Sequence, residues 1–247
     1  MTRQKIRKLL LIVSLLLFPV TLFYFSPALI IEAGLEGVIN GSFIVFIALF
    51  LSSIFLGRLF CAYICPGGGL QECAFLVTEK PPKQRWRNNI KYGIWLVWIL
   101  AVVFCYIFKG QIIKIDFFYQ TEHGISVTNI FSYIIYYGII LLILLPALIG
   151  GKRAFCHYIC WMAPFMAIGV KLRKLLRLPG LHISTEASKC ISCKKCNKTC
   201  PMCIDVYGFV KNSMKSSGIS DPECIQCGAC ADTCSPQALK YKFGKDR

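Results

Sequence analysis

Eight of the fifteen cysteines stand in two runs of the same spacing, Cys190-x-x-Cys193-x-x-Cys196-x-x-x-Cys200 and Cys224-x-x-Cys227-x-x-Cys230-x-x-x-Cys234. Thiolates are soft ligands, and three of them separated by two residues each let one loop reach three corners of an iron–sulfur cubane. Pro201 follows Cys200 directly and Pro236 follows Cys234 after one residue, so the local turns differ slightly. Zinc ribbons also use C-x-x-C pairs, but two pairs per ion leave the third cysteine of each run without a role. Disulfides would be the default in a small secreted chain, whereas runs this tight suit metal and require a reducing compartment.

A second pattern repeats further upstream. Gly57-Arg58-Leu59-Phe60-Cys61-Ala62-Tyr63-Ile64-Cys65-Pro66 is matched by Gly151-Lys152-Arg153-Ala154-Phe155-Cys156-His157-Tyr158-Ile159-Cys160. On a helix, residues i and i+4 share a face, so each half offers a C-x-x-x-C pair. Brought together, Cys61, Cys65, Cys156 and Cys160 supply four thiolates, enough for a third [4Fe–4S] cluster; the alternative is a small-residue face packing one helix on another. Pro66 has no counterpart at Trp161, which predicts that the second motif turns differently.

The elements that must position these motifs are apolar. The chain is 56% hydrophobic and 16% charged, outside the soluble average. Four uncharged stretches, 9–31, 37–57, 92–108 and 124–151, are near or above the length of a membrane-crossing helix. The expected fold is an all-α four-helix transmembrane bundle made of two repeated hairpins, followed by a small α+β domain. The boundaries are 1–160 for the membrane domain, 161–180 for a basic amphipathic linker along the membrane surface, and 181–247 for the cysteine-rich domain.

Of 28 Lys and Arg against 12 Asp and Glu, most flank the apolar runs on one side: Arg3, Lys5, Arg7 and Lys8; Arg58, Lys80, Lys83, Arg85, Arg87 and Lys91; Lys152, Arg153, Lys171, Arg173, Lys174 and Arg177. That side reads as cytoplasmic, with both termini and every cluster motif on it. Cleavage of the first span as a signal peptide near Phe25–Ala28 would leave this orientation unchanged. Basic residues placed beside apolar runs argue against a nucleic-acid partner.

The paired cysteine runs resemble bacterial two-cluster ferredoxins. The resemblance implies that Cys190, Cys193, Cys196 and Cys234 hold one [4Fe–4S] cluster, and that Cys224, Cys227, Cys230 and Cys200 hold the other. Gly228 and Ala229 are small enough to bring backbone amides to the sulfurs. Four spans, two C-x-x-x-C motifs and a trailing ferredoxin together resemble the membrane polyferredoxins that include NapH-type subunits, MauN and the C-terminal half of NosR, with CcoG as a relative. That likeness implies a multi-pass protein of a bacterial or archaeal cytoplasmic membrane, exchanging electrons between quinone and another redox protein or complex. Its main rival is a redox assembly factor for a metalloenzyme, and a third reading is a passive ferredoxin anchor.

Other residues are less pointed. Tyr63, Tyr158 and Trp161 suit either a quinone pocket or an interfacial aromatic belt. Gln71 and Glu72 suit proton acceptance or a surface helix, and His157 is expected at the headgroups. Asp116, Glu122 and His123 read as a solvated loop, Cys73, Cys105 and Cys203 as bystanders. No C-x-x-C-H and no pair of histidines within the spans are present, so neither haem nor covalent flavin is expected. An iron count tests the third cluster: about twelve atoms per chain is the expected result, and about eight would leave only the ferredoxin pair.

Overall fold

A computed structural model describes residues 2–82, 85–212 and 218–245; Lys83 lies outside them. The stretch 9–31 is not one straight helix. Helix α1 (Arg3–Leu16) gives way to α2 (Phe18–Thr21) and a 3-10 turn, Leu22–Phe25, bent by 61° from α1. Pro19 causes the break, since it lacks the N–H for the helical ladder and its ring clashes with the preceding turn. A new helix, α3 (Pro27–Glu36), starts with Pro27 in its first turn and Ser26 Oγ accepting from Leu29 N, a pre-organised helix start.

Strand β1 (Val38–Asn40) then leads into α4 (Gly41–Leu56), capped by Asn40 through Phe43 N. At 16 residues α4 is about 24 Å long. Short helices α5 (Leu59–Tyr63) and α6 (Pro66–Cys73) follow. Helix α7 (Ile90–Lys109), which continues the segment from Trp86, and α8 (Ile130–Gly150) are each long and apolar enough to cross a membrane unaided. Helix α8 begins six residues later than the apolar run, because residues 124–129 turn back to bond α2: Ser126 N and Val127 N donate to Val20 O and Pro19 O. At the end of the hairpins away from the cysteines, β2 (Lys114–Asp116) pairs in parallel with β1.

Helix α9 (Ala154–Tyr158) mirrors α5. In both, the last two residues of the repeat donate to the same carbonyl, Ile64 and Cys65 to Phe60 O, Ile159 and Cys160 to Phe155 O. The two motifs therefore turn alike despite the missing proline. Helix α10 (Met162–Leu175) occupies most of 161–180 and packs on α4, burying Met162, Ala163, Met166, Ala167 and Val170. Gly169 makes this close: a Cβ there would collide with Ser53 Oγ and lie 3.1 Å from Phe50 O.

The C-terminal domain is framed by β3 (Gly180–Thr185) and β4 (Leu239–Gly244), antiparallel in register Gly180↔Gly244. Between them lie α11 (Lys195–Thr199), α12 (Val206–Lys211) and α13 (Ala229–Thr233). Both cysteine loops use left-handed residues at equivalent places: Ser192, Lys194 and Cys203 in the first, Gln226, Gly228 and Gln237 in the second. This is an internal duplication at backbone level. A single buried core joins the halves of the molecule, running from Cys61, Ala62, Cys156 and Met166 through Ile183, Met202 and Ile204 to Cys200, Cys227 and Cys230. Replacing Gly169 by Leu is expected to separate α10 from α4 and destabilise the protein by about 1–3 kcal/mol; an unchanged melting temperature in detergent would contradict that packing.

Candidate metal centres

Backbone turns bring the second cysteine run together. Cys200, Cys224, Cys227 and Cys230 line one cavity whose other walls are mostly apolar, Ile183, Met202, Ile204, Val206, Ile219 and Ile225 among them, with Gln226 the polar exception. Burial pushes the Cys200 and Cys224 thiols up to about 12, as expected for thiols whose charge has no cation to meet it. The donor set is all sulfur and the surrounding walls are mostly apolar, which fits a cubane. The first run is more open: Cys193 is exposed and Cys190, Cys196 and Cys234 are half-buried. Cys196 senses both Cys190 and Cys193, while Cys230 senses Cys196, so the two runs adjoin through α11 and α13.

The C-x-x-x-C pairs also meet. Cys61, Cys156 and Cys160 are buried, and each of the four thiols feels the charge of others in the set: Cys65 that of Cys61 and Cys156, Cys160 that of Cys156, Cys65 and Cys61. Burial, countered by Arg58 and Arg153, raises Cys61 and, with its neighbours, pushes Cys65 up to about 12. Gln71, wholly buried on α6, donates from Nε2 to Cys156 Sγ at 3.0 Å, and Met166 Sδ lies 3.5 Å from Cys61 Sγ. Among the described residues, no three His, Cys, Asp or Glu converge tightly enough for a single ion.

Charged side chains surround this set. Glu72 receives Arg7 through both oxygens, at 2.6 and 2.8 Å, and Arg153 at 2.5 Å; Arg153 Nη1 also donates to Cys61 O at 2.9 Å. Gly68 leaves the room for this, since a Cβ there would press to 3.0 Å on Cys61 O, the carbonyl that Arg153 Nη1 reaches. Glu223, next to Cys224, accepts from Arg58 at 3.0 Å and Lys91 at 2.5 Å. Burial opposes ionisation of Glu223, but Arg58 and Lys91 outweigh it and hold the carboxyl at about 2. Its stabilising effect is complete above the ordinary carboxyl value, fades as pH falls below that, and is lost once pH has passed through about 2. From α1, Gln4 Nε2 donates to Cys227 O at 3.0 Å and Arg3 pairs with Asp232.

Several expectations change. His157 does not face headgroups: it is 4% exposed, and burial lowers its imidazole to about 4. It lines a cleft with Cys203, Asp221 and Glu223. Glu72 and Gln71 belong to the cysteine site, not to a surface helix. Tyr63 reaches Cys227 O at 3.4 Å and Tyr158 lines the His157 cleft. Trp161 alone of the three aromatics lines a separate apolar cavity. Its walls include Phe18, Phe25, Ile139 and Ile143, together with Cys65 and Cys160. The roles of Gln71, Arg58 and Arg153 were not readable from the sequence, although an arginine three residues before each Cys61-type cysteine was a visible signal.

A 4Fe-4S binding domain matches twice, at residues 41–86 and 133–179, and a 4Fe-4S dicluster domain matches residues 182–235. An uncharacterised protein of Methanocaldococcus jannaschii is 28% identical over 77% of this chain and 74% of its own length. The putative electron transport protein YccM of Escherichia coli is 25% identical over 87% of this chain and 58% of its own, and the ferredoxin-type protein NapH of Haemophilus influenzae is 23% identical over 74% and 62%. The chain thus spans less than two thirds of the last two. No solved structure matches. Cys200→Ser is expected to lose about four irons and Cys203→Ser none; equal iron in both variants would contradict the placement of Cys200 in the cavity.

Proposed function

Because the chain is an iron–sulfur electron-transport protein of the membrane polyferredoxin type, similar to YccM and NapH, we propose that it moves electrons between a membrane quinone and a soluble-side redox partner through three [4Fe–4S] sites. Cys61, Cys65, Cys156 and Cys160 hold the site nearest the membrane, Cys224, Cys227, Cys230 and Cys200 the middle one, and Cys190, Cys193, Cys196 and Cys234 the outermost. A [4Fe–4S] cluster, when bound, carries one electron at a time, so a two-electron quinol is served in single steps. The reading keeps the three segments 1–160, 161–180 and 181–247, four membrane crossings, and both termini on the cytoplasmic side.

The apolar cavity that Cys65 and Cys160 help to line carries this proposal. A quinone headgroup is a flat, largely apolar ring, and apolar concavities with few polar groups are where such ligands bind. The cavity is bounded by the break after α1, the start of α3 and the middle of α8, and its two cysteines belong to the proposed membrane-side cluster. No separate carrier is needed between substrate and first acceptor. At the other end, Cys193 is exposed, which supports partner docking at the first cysteine run.

Filling the cavity tests the idea. Ile139→Trp is expected to slow reduction of the clusters by a short-chain quinol at least tenfold, while dithionite still reduces them fully. Unchanged quinol reduction in the variant would place the substrate elsewhere. Wild-type protein that quinol does not reduce at all would favour a role in assembling another metalloenzyme.

A further inference from the structure

Each C-x-x-x-C motif is preceded, three residues upstream of its first cysteine, by an arginine whose side chain is removed from solvent: Arg58 is 1% exposed and Arg153 0%. A guanidinium keeps its proton at any physiological pH, and burying one requires an anion beside it. Neither arginine has a carboxylate to itself. Arg58 shares Glu223 with Lys91, and Arg153 shares Glu72 with Arg7. Arg153, Arg7 and Glu72 make two basic side chains and one acidic one, a buried positive surplus beside the thiols, whereas Asp221, buried next to Glu223, balances the pair of Arg58 and Lys91.

The hydrogen bonds point the same way. Nε and Nη2 of Arg58 and Nε of Arg153 are buried and have no partner among the described residues. Unpaired buried donors are expensive to leave unmet. Both guanidinium groups act electrostatically on Cys61 and on Cys156, one from each motif. What would satisfy them is a compact anion with several acceptor atoms at the centre of the four cysteines.

We propose that Arg58 and Arg153 form an electrostatic clamp on the cluster that Cys61, Cys65, Cys156 and Cys160 hold, donating to its sulfur atoms and raising its reduction potential. This rests on the three-cluster reading above. A four-thiolate cubane is anionic, and one-electron reduction adds a further negative charge. Fixed positive charge in a low-dielectric site therefore stabilises the reduced form more than the oxidised form. Gln71, donating to Cys156 Sγ, adds a neutral donor to the same shell. Purely structural salt bridges, which hold the ferredoxin domain in place and nothing more, are the rival explanation.

The two explanations part on the sign of a potential shift. In purified full-length protein, EPR-monitored redox titration with parallel iron assay is expected to show a lower potential for the membrane-side cluster in R58Q and R153Q. It should remain close to wild type in R58K and R153K and rise in E72Q, where the carboxylate's opposing charge is gone. The ferredoxin clusters should shift less. Potentials that stay fixed in the glutamine variants, or that move the same way in E72Q as in R153Q, with iron retained, would overturn the clamp. If R58Q and R153Q do not assemble, E72Q and the lysine variants decide by the same signs. A wild-type iron content of only about eight would instead reject the underlying three-cluster reading.

Discussion

Glu223 can lie buried beneath the membrane helices because Arg58, at the end of α4, and Lys91, at the start of α7, both reach it. Glu72 is held in the same way by Arg7 and Arg153. Breaking one partner out of such a group costs about 3–5 kcal/mol, because the remaining charge stays desolvated. The first group ties the loop of Cys224 to two membrane helices, and the second ties α1 and α6 to the second cysteine motif. With Gln4 and Arg3 bonded at Cys227 and Asp232, the ferredoxin domain has a fixed seat on the membrane domain. Any distance between redox sites inherits that rigidity.

The chemistry of the chain was legible where spacing is the chemistry. Both cysteine runs, the repeated C-x-x-x-C motif and the division into a membrane part and a small sheet-framed part follow from residue type and interval. The bent entry of the first apolar stretch was visible only as Pro19 and Pro27, which a count of apolar residues passes over. Arg7, Arg58, Lys91 and Arg153 read as markers of the cytoplasmic side, yet all four are buried. Periodicity cannot separate a basic residue that flanks a span from one that answers a buried carboxylate, since its partner lies up to 165 positions away, as Glu223 does from Arg58. Helix α10 hid its role similarly: its leucines and lysines suggested a surface helix, while the small residues Ala163, Ala167 and Gly169 were the ones that face α4.

The shared core carries functional weight as well as stability. Apolar side chains and cysteines run without interruption from Cys61 and Cys156 to the cavity of the second run. The first run lies at the surface, with Cys193 open to solvent. Enclosed sites near the membrane and an exposed one at the far end form the arrangement expected of a chain that takes electrons from one phase and delivers them in another.

Electron transfer through this chain depends on Cys61, Cys65, Cys156 and Cys160 holding a redox centre in contact with the ferredoxin pair. EPR of the fully reduced protein tests this directly, because neighbouring paramagnets split and broaden each other's signals. Three mutually interacting signals are predicted, reduced to the ferredoxin pair when Cys61 and Cys156 are both replaced by serine. A spectrum of two interacting centres that the double replacement leaves unchanged would contradict it.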